Sequence, residues 1–295
     1  MSAIDPVLAA VDFSDDARRA ARRAALVAGE QGARLQLLHV LSNASVTSLR
    51  DMLRPHAGAQ ARVVDGVRAM LDELAASLPA GPVRASVRVE QGEVIPAILA
   101  AASGAALLVM GARGWNPIRD MILGSTADRL LSRCRQPILV ARRPGRGPYR
   151  RVVAAVDFSP HSDAALAFAR RLAPAADIVL VHACALPFEG KLRIAGVSEE
   201  HLRAYRAEVR QEARERMAAM LAAVGGDRSR LAHAVAMGRA PVVVLAKARE
   251  LRADLIVIGK RGQSAAADFL LGSVARHVLA DAGCDVLVVQ APAGP

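Results

Sequence analysis

The 295-residue chain repeats itself once, and no other feature constrains its fold as tightly. Val7-Leu-Ala-Ala-Val-Asp-Phe-Ser14 returns as Val152-Val-Ala-Ala-Val-Asp-Phe-Ser159. Leu35-Gln-Leu-Leu-His-Val40 returns as Ile178-Val-Leu-Val-His-Ala183, and Ile138-Leu-Val-Ala141 as Val286-Leu-Val-Val289. The offset stays between 143 and 150 residues, so the copies are whole units and not short tandem repeats. Between them, Arg142-Arg-Pro-Gly-Arg-Gly-Pro-Tyr-Arg150 cannot hold a regular element and reads as a linker. The expected domains are 1–144 and 145–295, each long enough to bury its own core.

Within the first unit, short apolar runs predict strands near 6–12, 35–41, 83–89, 105–110 and 138–141. Amphipathic periodicity predicts helices near 15–30, 60–78, 94–103 and 125–134. The second unit reads as strands near 151–157, 177–184, 231–236, 254–258 and 286–290, with helices near 161–173, 199–224, 240–251 and 272–281. All-apolar strands alternating with amphipathic helices imply an α/β fold, its parallel sheet covered on both faces. Ligands of such sheets sit at the carboxyl ends of the strands, where the strand order reverses.

One loop motif lies at such a place in each unit. Gly111-Ala-Arg113-Gly114, nine residues, then Gly124-Ser125-Thr126 matches Gly259-Lys-Arg261-Gly262, nine residues, then Gly272-Ser273-Val274. A single Gly-x2-Gly-x9-Gly-Ser match arises by chance roughly once in a hundred chains of this composition, and a second in register far less often. Glycines permit close backbone approach, and the free N–H groups of a following helix start, with a serine hydroxyl, suit a phosphate chain. The simpler alternative is a pair of tight turns with an ordinary serine N-cap.

Net charge of +11 raises the question of nucleic acid, but 36 of the 39 basic residues are Arg in an alanine-rich chain, which points to compositional drift. Arg18, Arg19, Arg22 and Arg23 are expected to face away from an Ala17, Ala20, Ala21, Ala24 stripe as a solvated helix face, and only 3% of residues are aromatic. The start of the chain lacks a charged and apolar leader pattern. Pro96 to Ala112, the densest apolar span, is broken at Ser103-Gly104 and reads as helix then strand, with no membrane crossing. Cys134, Cys184 and Cys284 show no metal or disulfide spacing and fit a reducing, cytoplasmic setting. His39 and His182 have no ligand-spaced Cys or carboxylate beside them and read as structural.

These features together resemble the universal stress protein family, of the nucleotide-binding kind. The residues that carry the likeness are the Val-Asp-x-Ser end of the first strand, the His-containing end of the second, the glycine motif after the fourth and a hydrophobic fifth strand after a Cys, all present twice. The resemblance implies an α/β fold of two repeated open parallel five-stranded sheets, order 3-2-1-4-5, with helices on both faces, like the adenine nucleotide alpha hydrolases. It implies ATP between the first and fourth strands, with or without Mg, and pairing of domains through their fifth strands, as a pseudo-dimer within the chain or a homodimer between chains.

Carried over by position, Asp12 and Asp157 lie near the ribose, with a helix-capping role as the alternative. Val40 and Ala183 meet the adenine edge through backbone, and Met110 and Ile258 pack on the base. Gly111, Gly114, Gly124, Ser125 and Thr126, with Gly259, Gly262, Gly272, Ser273 and Val274, form the phosphate loops, and Arg113 and Arg261 offset phosphate charge. Thr126 against Val274 predicts tighter binding in the first half, with Lys260 a partial compensation near the triphosphate of the second. Trp115, the only tryptophan, faces Gln263 in the comparison of loops, as a packed aromatic, a lid or an interface anchor.

No Gly-x4-Gly-Lys-[Ser/Thr] loop, dinucleotide fingerprint or nucleophile constellation is legible. The expected role is a cytoplasmic, ATP-dependent regulatory module in stress response. Its competitors are a very slow Mg-dependent ATPase and a nucleotide-free interaction scaffold.

Overall fold

The computed structural model describes residues 4–44, 59–79, 84–114, 123–186, 189–262 and 271–291. Trp115 and Gln263 lie outside them. In chain order the first half contains β1 (Val7–Ala10), α1 (Asp15–Gln31), β2 (Leu35–Ser42), α2 (Ala59–Ser77), β3 (Ser86–Gly92), α3 (Val94–Ala102), β4 (Leu107–Gly111), α4 (Ser125–Arg133) and β5 (Ile138–Ala141). The second contains β6 (Arg151–Ala155), α5 (Pro160–Leu172), β7 (Asp177–Cys184), α6 (Glu189–Ile194), α7 (Glu199–Ala223), β8 (Leu231–Met237), α8 (Ala240–Glu250), β9 (Leu255–Gly259), α9 (Ser273–Asp281) and β10 (Asp285–Val289). The short α6, with Lys191 and Arg193 in its last turn, carries no apolar stripe and is absent from the sequence expectation.

Local chemistry sets the helix ends. Ser14 caps α1 by accepting from the Ala17 N–H at 3.2 Å, Asp15 and Asp16 favour the positive end of the helix dipole, and Gly32 closes it in the left-handed conformation at φ 61°. The buried stripe of α1 is Ala17, Ala20, Ala21, Ala24, Val27 and Ala28. Arg18 and Arg22 are exposed as expected, but Arg23 is buried, and its Nε donates to Asp285 Oδ2 at 3.0 Å. A stripe wide enough to face both the sheet and the other half takes in that position.

Each half has the strand order 3-2-1-4-5 with parallel neighbours, but the two sheets are one: β3-β2-β1-β4-β5-β10-β9-β6-β7-β8. The join is β5 against β10, antiparallel, with Leu139 opposite Leu287. That pairing removes two apolar edges that would otherwise template aggregation. Strands β4, β5, β9 and β10 are almost entirely buried, whereas β3 and β8, at the outer edges, are half exposed. Alternating side chains feed two cores, one per face: Val7, Ala9, Leu107 and Val109 on one, Leu8, Leu108 and Met110 on the other. Both cores run through the seam, since Leu139 and Leu287 share the first and Val140 and Val286 the second.

Polar groups clasp the seam. Asp285, 1% exposed, accepts from Arg23 Nε, from the Tyr149 hydroxyl at 2.8 Å and from the Arg142 and Arg143 N–H groups at 2.8 and 3.1 Å. All its lone pairs face a donor, which offsets the cost of burying the pair. The Arg142 guanidinium donates to the Leu279 carbonyl. The span from Pro96 to Ala112 divides into α3 and β4, and no described helix is long and apolar enough to cross a membrane.

Candidate functional site

The carboxyl ends of β1 and β4 diverge, because β1 continues toward β2 on one side and β4 toward β5 on the other. A crevice of about 330 Å³ opens there. Asp12, Val40, Met110, Gly111, Arg113, Gly114, Gly124, Ser125 and Thr126 all line it, so the nine nucleotide-contact residues expected in the first half share one cavity.

The turn after β1 is built tightly. Asp12 Oδ1 accepts from the Ser14 N–H at 3.0 Å and from its hydroxyl at 2.6 Å, while Ser14 caps α1. The capping alternative for Asp12 is therefore present in one oxygen, and the other, Oδ2, lies beside Gly114. Phe13 stands at φ 65°, a strained conformation for a bulky side chain, and its ring packs on His39 at 4.8 Å between centroids. His39 Nδ1 meets the Val11 carbonyl at 2.7 Å and so carries the proton there, and burial lowers its pKa. The second half repeats this turn atom for atom: Asp157 holds Ser159 at 3.0 and 2.6 Å, Phe158 sits at φ 61°, and its ring lies 4.5 Å from His182, whose Nδ1 is 2.8 Å from the Val156 carbonyl. The sequence marked both histidines as structural but held no sign of the strained phenylalanine that each one supports.

The glycines also make room within the protein itself. A Cβ on Gly111 would stand 2.7 Å from the backbone of Asp16, and one on Gly114 would stand 2.7 Å from Asp12 Oδ2. Gly259 and Gly262 meet His161 and Asp157 at 2.8 and 2.7 Å in the same way. Close backbone packing demands Gly111 and Gly259, while at Gly114 and Gly262 an added Cβ would displace the Asp12 and Asp157 carboxylates. At Gly124 the added atom would make only ordinary contacts of 3.5 Å with the loop, and at Gly272 a tighter one of 3.1 Å with the Lys260 carbonyl.

The helix starts that follow lack a side-chain cap, as do those of α3 and α8, which begin on Glu93 and Arg239. Helices α1, α5 and α7 begin on Ser14, Ser159 and Ser198, each of which accepts a backbone N–H. Helices α4 and α9 begin on Gly124 and Gly272 with no side-chain cap. The first-turn N–H groups of α4, with the exposed hydroxyls of Ser125 and Thr126, are left as donors at the crevice edge.

In the second half Asp157, Ala183, Ile258, Gly259, Arg261, Gly262, Gly272, Ser273 and Val274 hold the matching places at the ends of β6, β7 and β9 and the start of α9. Three differences stand out. Val274 is partly buried against the core where Thr126 is exposed. His161 replaces Asp16: Asp16 Oδ2 accepts the Arg113 N–H at 3.0 Å and the carboxylate pairs with Arg19, whereas His161 Nδ1 accepts the Ala291 N–H at 2.8 Å. Burial lowers the His161 pKa, with Arg261 adding to the effect.

Lys260, expected near a triphosphate, points elsewhere. It is 3% exposed, and its Nζ donates to the Cys134 carbonyl at 2.9 Å and to Gln290 Oε1 at 3.2 Å, across the seam. Burial brings its pKa down to about 8. Among the described residues no group of three or more His, Cys, Asp or Glu is arranged to hold a metal ion, and all three cysteines are buried and free.

Comparison with known proteins bears on both halves. Universal stress proteins of Mycobacterium tuberculosis and Mycobacterium bovis are 27% identical over 215 residues, covering 69% of this chain and 65% of their own length. The crystal structure of a universal stress protein from Archaeoglobus fulgidus superposes with a TM-score of 0.67 at 18% identity, over 97% of this chain and 98% of that one. A protein of unknown function from Pseudomonas aeruginosa gives 0.61 at 20% identity, over 98% and 93%. A universal stress protein crystallised with cAMP is 27% identical over 50% of this chain and all of its own, with a TM-score of 0.33, and stands only as an instance of nucleotide binding in that group. The Universal stress protein family model matches residues 3–142 and again 148–290, so the chain belongs to that family, with two of its domains in tandem.

Proposed function

We propose that the protein is a tandem nucleotide-binding module that takes ATP in the first-half crevice and, more weakly, in the second, and serves as a regulatory element of stress response. The observation that carries this is the convergence of Asp12, Val40, Met110, the glycine loop and the uncapped start of α4 on one cavity of about 330 Å³. In it Met110, 5% exposed at the end of β4, supplies an apolar floor for a base, and Val40 lies near the end of β2, on the other side of β1. Asp12 Oδ2 is placed to accept from a ribose hydroxyl. The α4 N–H groups, Ser125 and Thr126 donate to phosphate oxygens at the positive end of a helix dipole, and Arg113 adds charge from the exposed loop. A bound Mg ion would neutralise part of the triphosphate charge; no step depends on it. The units that act are residues 1–144 and 145–295.

The test has two steps. Mass spectrometry of ligand released on denaturing the freshly purified protein should detect adenine nucleotide, and calorimetry should rank ATP above GTP and cAMP. Absence of nucleotide, with no heat on ATP titration, would remove the proposal and leave a protein that works through its surfaces.

A further inference from the structure

At the opposite end of the sheet from the crevice, where β6, β9 and β10 begin, a cavity of about 400 Å³ opens. Its floor is apolar, built from Leu245, Ala248 and Ile256. Arg143, Arg151, Arg249 and Arg252 line its rim, all exposed. None of the four guanidiniums has a hydrogen-bond or ion-pair partner among the described residues. The carboxylates at hand are engaged elsewhere: Asp254 accepts the backbone N–H groups of Arg150 and Arg151 at 2.9 and 3.1 Å, Glu250 holds Lys247 at 2.6 Å, and Asp285 is buried in the seam. Four like charges around one cavity repel each other, a cost that nothing inside the protein offsets.

Two observations separate this cluster from an arginine-rich surface at large. The repeat is an internal control: Pro6 holds in the first half the place of Arg151, each carbonyl receiving the N–H that leads into the fourth strand at 2.8 and 3.0 Å, and Gly104 holds the place of Arg252. Arg252 itself sits at φ 48°, a left-handed conformation that glycine adopts freely and arginine adopts at a cost. Gly104 does not adopt that conformation, so the left-handed turn that carries Arg252 is particular to the second half.

We infer that this cavity is a second anion site, separate from the crevice, for a small molecule that carries a condensed phosphate group, two or three phosphoryl units in a row. Guanidinium forks match phosphate oxygens two at a time, so four of them around one cavity exceed what a single phosphate can engage. These arginines come from the linker, a strand start and a helix end, so no local sequence pattern joins them and only the fold gathers them.

Calorimetry with inorganic pyrophosphate at low ionic strength tests the assignment on the full chain. The wild type should bind, and Arg249→Gln with Arg252→Gly should weaken binding by about tenfold or more while the denaturation midpoint holds. Arg143→Gln with Arg151→Gln provides a second pair if the first variant folds poorly, and should give the same loss. Ser125→Ala with Thr126→Val, which alters the crevice, should leave pyrophosphate binding at this site intact. Undiminished binding in both arginine pairs, or loss only in the crevice variant, overturns the inference. Tighter binding of a short single-stranded oligonucleotide than of pyrophosphate overturns it as well, in favour of a nucleic-acid surface.

Discussion

The two halves share one fold and one turn geometry but divide their polar residues differently. The first half has Asp16 and Thr126 beside its glycine loop, where the second has His161 and Val274. The second sends its distinctive charges into the seam and the far end of the sheet: Lys260 to the Cys134 carbonyl, Asp285 to Arg23 and Tyr149, Arg252 to the basic cavity. Pro137 occupies in the first half the place that Asp285 has in the second, so the clasp is not symmetric even though the strand pairing is.

The largest effect should come from the clasp. Asp285→Ala leaves Arg23 and Tyr149 buried without their acceptor and is expected to cost about 3–5 kcal/mol, whereas joint replacement with Arg23→Met should cost much less. Chemical denaturation of both variants measures this, and equal losses would show that Arg23 and Asp285 are not coupled.

Lys260 gives the comparison a pH signature. Its folded pKa, about 8, lies below its ordinary 10.5, so in this window the unfolded chain binds more protons and stability rises with pH. The full contribution is at most about 3 kcal/mol. Cys284 opposes it at higher pH, because its thiol is pushed up to about 12 by burial and Asp285. The difference between the wild type and Lys260→Met isolates the lysine: it should grow in favour of the wild type from pH 8 to 10, and a flat difference would mean that Lys260 is solvated.

Gly114→Ala and Gly262→Ala force a Cβ to within 2.7 Å of Asp12 and Asp157 respectively. Each should cost about 1–3 kcal/mol of stability and weaken ATP only in its own half. Loss in both halves from either change would break the picture of separate sites.

The smallest effect is the exchange of Thr126→Val and Val274→Thr. One hydroxyl at a helix start separates the halves here, and the exchange should shift the ratio of site affinities by about tenfold, or about 1.4 kcal/mol. Calorimetric ATP titration decides it; an unchanged ratio would assign the asymmetry to Asp16 and His161 instead.

Strands and helices were legible in the chain because short apolar runs and amphipathic stripes are local patterns that burial on two faces imposes. The strand β3 starts later than expected, at Ser86, because an edge strand needs no continuous apolar run, and the charged Arg88 and Glu90 fit its exposed face. The spacing of the glycine motif located the crevice. It could not assign the glycines their reason, since the atoms they make room for, in Asp12 and Asp16, lie about a hundred residues away.

By itself, then, the sequence determined the α/β class, the duplication, the five-strand order through its family likeness, and the residues around the crevice. The class and the duplication follow from periodicity and spacing along the chain, whereas the strand order and the residues around the crevice came with the family likeness. Only the tertiary structure decided that Arg23 is buried while Arg22 is not, that Lys260 turns from the phosphate loop to the seam, and that four scattered arginines share a cavity. A charged side chain long enough to reach either of two environments takes the one where its hydrogen bonds are satisfied, and that choice depends on atoms brought near only by folding.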